Sequence, residues 1–159
     1  MYRRRFRSKI ELNFGRMASD RGGKERYRVF LSYSHKDRWV AKQCGEKIKR
    51  SGKGRVEVFW DEEGVAGGQV IPEKIRSEIQ KCDELVVLLT PNSKDRDWVK
   101  TEISAAWGLD KLIVPILLNV SPQEMLDFLR SCKAMDLNND DLEDQYLPQL
   151  ALRAEGRLK

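Results

Sequence analysis

The sequence predicts an α/β fold: an open, five-stranded parallel sheet with helices on both faces. Three observations carry this. Short apolar stretches alternate with amphipathic segments from residue 27 onward. One of them, "ELVVLLT" (84–90), is almost continuously apolar, as a strand covered on both faces must be. The connections are short, which suits right-handed crossovers and a doubly wound, flavodoxin-like order.

Taken in order, "YRVFLSY" (27–33) is rich in aromatic and branched residues and makes the first strand. A helix follows in "KDRWVAKQCGEKIKRSG", where Val40, Cys44 and Ile48 recur on one face. Asp37 is its expected N-cap and Gly52 its stop. "RVEVFW" (55–60) alternates as a half-exposed strand near an edge does, and "DEEGVAGGQ" (61–69) is an acidic, glycine-rich loop. Pro72 fits a first helical turn, with Ile71, Ile75 and Ile79 on one face of the helix behind it. After "ELVVLLT", the turn "PNSK" leads into a helix from about 97, on which Val99, Ile103 and Ala106 form the apolar stripe. "LIVPILL" (112–118) is the fourth strand, with irregularity expected at Pro115 because proline removes a ladder donor. "SPQEMLDFLRS" opens on a capping box, Ser121 with Glu124, and Pro122 at the first helical position, so a helix is expected. "KAMDL" (133–137) is a weak last strand, and "DDLEDQYLPQLALRA" a terminal helix interrupted near Pro148.

Composition bounds the rest. A chain of 159 residues at 40% hydrophobic content suits one domain with one core. The net charge of +5 is unevenly placed. Residues 1–26 hold nine basic and three acidic residues, and 27–159 hold 21 and 22, so the tail carries +6 and the domain −1. We therefore divide the chain into a basic, disordered tail (1–26) and one domain (27–155), with nucleic-acid contact expected only through the tail. No apolar run is long enough to span a bilayer and no signal peptide is evident. Three widely spaced cysteines and one histidine make a disulfide framework or a zinc site a poor expectation; the thiols suit a reducing, cytoplasmic setting.

In a doubly wound sheet, ligands bind outside the carboxyl ends of the strands. Those ends are "SYSHK", "DEEGVAGG" and "TPNSKDRDW". Neither a P-loop nor a G-x-G-x-x-G motif occurs, and no acidic cluster suits a phosphoacceptor site. Ser34 and His35 are too close in sequence to form a hydrolase dyad. His35 is thus either an exposed loop residue or a contact at a pocket rim. Trp98 and Glu102 lie one helical turn apart on a stripe next to the apolar one. They are either an edge tryptophan with a solvated glutamate or two walls of one pocket.

Three stretches together resemble the Toll/interleukin-1 receptor (TIR) domain family, and in particular its bacterial, catalytically active members. They are "RVFLSYSHKD", "VFWDEEGVAGG" and "DWVKTE" followed by "LIVPIL". The resemblance implies a five-stranded sheet of order 2-1-3-4-5. It also implies cleavage of the nicotinamide–ribose bond of NAD+ by Glu102, making NAD+ a substrate, with no cofactor or metal. It would put Trp98, Tyr33, Ser34 and His35 at the substrate and make the loop with Asp61, Gly67 and Gly68 the closure of the site. Ala66 departs from the charged residue that active members often carry there. Further implications are self-association with other TIR copies, a sensor or effector partner, and a role in immune or antiphage signalling. Two rivals stand beside this: a non-catalytic TIR scaffold, and another N-glycosyl-bond enzyme such as a nucleoside deoxyribosyltransferase.

Overall fold

The computed structural model describes residues 26–60, 73–93 and 97–157, with 97 and 98 as backbone only. The expected tail, the 61–69 loop, Ile71 and Pro72 lie outside the described residues, apart from Arg26.

The strands are β1 (Tyr27–Ser32), β2 (Val56–Trp60), β3 (Glu84–Leu89), β4 (Leu112–Leu117) and β5 (Met135–Asp136). They form one sheet of order β2-β1-β3-β4-β5, and every pair is parallel. The helices are α1 (Arg38–Ser51), α2 (Glu73–Lys81), α3 (Asp97–Gly108) and α4 (Leu147–Ala154). This is the flavodoxin-like order expected.

Strand alternation divides the core into two layers. Val29, Leu31 and Tyr33, Val86 and Leu88, and Val114 and Ile116 pack with Cys44 and Ile48 of α1 and Leu150 of α4. Phe30, Leu85, Val87, Leu89, Ile113 and Leu117 pack with Ile75 and Ile79 of α2 and with Val99, Ile103 and Ala106 of α3. Every residue of β3 is buried, while the edge strand β2 buries only Val56 fully. The α1 helix reaches that edge closely: a Cβ on Gly45 would sit 2.7 Å from Trp60 Cζ3, so glycine admits the indole.

Two local expectations are corrected, and a third, the interruption near Pro148, is found as expected. β4 runs through Pro115 without a break. Leu118 N–H donates to Leu89 O at 2.9 Å, so alternation turns the amide position of residue 115 away from β3. β5 pairs only beside Ile116 and Leu117, and the missing donor costs no bond to β3. The segment after Ser121 keeps its capping box but is not a continuous helix. It forms two short 3-10 turns, Pro122–Glu124 and Asp127–Ser131, separated by an extended Met125 and by Leu126, which lets Met125 and Leu129 both reach the core. Near Pro148 the terminal helix is a π-helical turn (Leu142–Tyr146) leading into α4. Proline cannot donate to the carbonyl of Asp144, and the wider turn accommodates the missing bond.

Candidate active site

The carboxyl ends of β1 and β3 meet the entry to α1 and the second turn of α3. At the end of β3, Thr90–Ser93 forms a tight turn: Ser93 N–H donates to Thr90 O at 3.1 Å and Thr90 N–H to Ser93 Oγ at 2.8 Å. The side chain of Asp37, the N-cap residue of α1, caps no N–H of its own helix. Its carboxylate instead accepts Thr90 Oγ1–H at 2.6 Å and Asn92 Nδ2–H at 2.8 Å. A buried carboxylate thus ties the loop after β1 to the turn after β3, with both of its oxygens engaged.

Glu102 occupies the second turn of α3 and is only 1% exposed. It is therefore not the solvated helix-face residue that amphipathicity alone allowed. The last residue of β1, Ser32, is also buried, and its hydroxyl donates to Glu102 Oε2. Alternation explains the meeting. Phe30 faces the layer of α2 and α3, and Ser32 two residues on faces the same way. A hydroxyl donor suits an ionised carboxylate, so this pair can hold a negative charge at the carboxyl end of the sheet's central strands.

The other expected residues fall in different settings. Trp98 lies on the α3 backbone one turn before Glu102. Ser34 is buried, and its carbonyl accepts Asp37 N–H at 2.7 Å. His35 is exposed and opens the 3-10 turn His35–Asp37. Tyr33 is buried in the opposite layer, where it lines a small cavity with Arg38, Ala41, Lys42 and Trp60. Asp61, Gly67 and Gly68 lie outside the described residues. Sequence reasoning missed Ser32 and the role of Asp37. The available signal was a small polar residue ending an apolar strand, at the sheet edge where ligands bind.

The three cysteines are free, and burial pushes the Cys44 and Cys82 thiols up to about 11. Among the described residues, no three His, Cys, Asp or Glu side chains are grouped to hold a metal ion. No described helix is long and apolar enough to cross a membrane.

Comparison with known proteins agrees with this architecture. A curated relative, a probable 2' cyclic ADP-D-ribose synthase of Brachypodium distachyon, is 27% identical over 107 residues, which is 66% of this chain and 46% of that protein. The chain thus spans about half the length of the curated relative it matches. Among solved structures, the TIR domain of the Toll-related receptor TRR-2 from Hydra magnipapillata matches with a TM-score of 0.62 at 22% identity, covering 80% of this chain and 97% of that one. A metazoan TIR-STING receptor from C. gigas matches with a TM-score of 0.57 at 20% identity, over 76% of this chain and 39% of that one. These two likenesses concern the fold. The TIR domain profile itself matches residues 29–151, from the middle of β1 into α4, and the chain belongs to the TIR domain family.

Proposed function

We propose that this TIR domain cleaves the nicotinamide–ribose bond of NAD+. The observation that carries the proposal is the Glu102 carboxylate, buried yet held by a serine hydroxyl at the carboxyl edge of the sheet. A buried, oriented negative charge has a use in this chemistry. Nicotinamide leaves as a neutral molecule from a cationic precursor, so no general acid is needed. The ribose becomes oxocarbenium-like as the bond breaks, and a carboxylate beside it stabilises that charge. Water adding to the ribose carbon gives ADP-ribose. Attack by a hydroxyl or the adenine of the same molecule gives a cyclic product. The name of the Brachypodium relative supports the cyclising branch.

In this reading Trp98 stacks on a planar base, and Tyr33, Ser34 and His35 border the substrate. The loop with Asp61, Gly67 and Gly68 closes the site against a neighbouring copy. The free thiols, two of them buried, suit a reducing, cytoplasmic setting. A sensor or effector partner and a role in immune or antiphage signalling belong to the same reading.

The test is NAD+ incubated with the full chain at high protein concentration and products resolved by mass spectrometry. Nicotinamide with linear or cyclic ADP-ribose is expected. Glu102→Gln keeps the shape and can still accept from Ser32, so it should melt near the parent midpoint. Its turnover should fall by about 10²-fold or more. Full turnover in that variant would remove the carboxylate from the mechanism and favour a scaffold acting through TIR–TIR contacts.

A further inference from the structure

A second buried charge lies at the opposite end of the sheet. The side chain of Arg153 of α4 is only 9% exposed and donates through Nε to Glu84 Oε2 at 2.9 Å. Its guanidinium lies 5.7 Å from the centre of the Tyr146 ring. Its Nη2 is buried and makes no hydrogen bond among the described residues. A guanidinium offers five donors, and a buried one left open calls for an acceptor.

The Arg153 side chain also borders an open space on one side of the sheet. Because β5 pairs only beside Ile116 and Leu117, the start of β4 is left uncovered on that side. An open cavity of about 310 Å³ occupies the gap, lined by Trp107, Lys111, Leu112, Lys133, Tyr146 and Arg153 among others. Its charged lining is all cationic. Lys111 Nζ donates to the carbonyls of Gln80 and Cys82, both at 2.7 Å, and Lys133 Nζ to Gln145 Oε1 at 2.6 Å. These acceptors are neutral, and among the described residues neither ammonium has an ion pair with a carboxylate. No carboxylate lines the cavity among the described residues; Glu84 offsets Arg153 alone. One wall is apolar and flat: Trp107 is 49% exposed, held edge-on by Phe128 at 5.2 Å, with Leu112 also exposed beside it.

We propose that this cavity binds a small planar organic anion, with its ring on Trp107 and its acidic group toward Arg153 and the two lysines. The chemistry is shared by aromatic carboxylates and nucleoside monophosphates. The site is separate from Glu102: α3 carries Glu102 in its second turn, against the carboxyl end of β1, and Trp107 in its last turn, about 7.5 Å further along its axis.

Benzoate and AMP serve as probes for the two sources, with benzamide and adenosine as uncharged counterparts. Binding to the full chain is measured by titration calorimetry and by the shift of the Trp107 indole N–H resonance. At least one anion should saturate, and its uncharged counterpart should bind about tenfold more weakly or worse. Which anion binds identifies the source. Arg153→Met is expected to disturb folding, so the decisive variants are at the exposed rim. Lys133→Ala and Trp107→Ala should each weaken binding about tenfold, and Glu102→Gln should leave it unchanged. The proposal is overturned if neither anion saturates by about 10 mM, if the uncharged probes bind as well, if the rim variants bind normally, or if Glu102→Gln abolishes binding.

Discussion

Ser32 and Glu102 stand 70 positions apart in the sequence and share one buried hydrogen bond. The serine adds no charge, so its contribution to turnover is orientation and stabilisation of the carboxylate. Ser32→Ala removes this buried hydroxyl donor to Glu102, at a cost of roughly 1–3 kcal/mol in stability. On the reading proposed for the site, NAD+ turnover in that variant should drop by about 10–100-fold with KM little moved, because orientation of the reacting groups is lost while most binding contacts remain. Ser32→Thr keeps the hydroxyl and should recover most of the rate. Parallel kcat and KM measurements on the two variants decide it, and parental turnover in Ser32→Ala would show that Glu102 needs no such partner. At this scale the sequence exposed the glutamate but not its environment. Helical periodicity set Glu102 beside the apolar stripe of Val99, Ile103 and Ala106 and left its burial open. The sheet edge above it closed that question.

Among the elements, α4 depends on a contact that no local pattern announces. Glu84 begins the apolar run of β3 and is fully buried, accepting from the Tyr27 and Tyr146 hydroxyls and from Arg153. These partners lie 57, 62 and 69 residues away, so the cluster ties β1, β3, the π-helical turn and α4 together. Arg153→Met would strand the carboxylate and should cost about 3–5 kcal/mol. Adding Glu84→Gln should restore much of that loss, since the stranded charge is then gone. Urea unfolding of the two single variants and the double variant measures the coupling. Strict additivity would mean that the ion pair contributes nothing beyond its separate parts. The 3-10 segment after Ser121 makes the same point differently: its capping box was legible, but the extended break at Met125 follows from what the core beneath it had to receive.

For the whole molecule, the clearest linkage is alkaline. Burial raises the Cys44 and Cys82 thiols from an ordinary value near 9 to about 11, and raises the Tyr27 and Tyr146 hydroxyls as well, with Glu84 adding to the tyrosine shifts. All four groups are neutral when folded and protonated. Their contribution is therefore complete below the unfolded pKa and is lost as pH rises toward the folded one. Stability should decline from about pH 9, by roughly 2–3 kcal/mol per thiol by pH 11, and further as the tyrosines of the unfolded chain ionise. A Cys44→Ala, Cys82→Ala chain should show a shallower decline in melting temperature over that range. A flat profile from pH 8 to 11 in the parent would contradict the linkage. The sequence by itself determined the alternation of strands and helices, the buried character of β3 and the stripes that dock α1, α2 and α3. Each depends on a repeat of two or 3.6 residues, which is local and survives in one dimension. Only the tertiary structure decided that Ser32 meets Glu102, that Asp37 holds the turn at Thr90, and that Arg153 neutralises Glu84 beside an open cavity. Those are pairings of single polar groups from distant segments, and they arise where the sheet's parallel register brings strand ends and helix ends together.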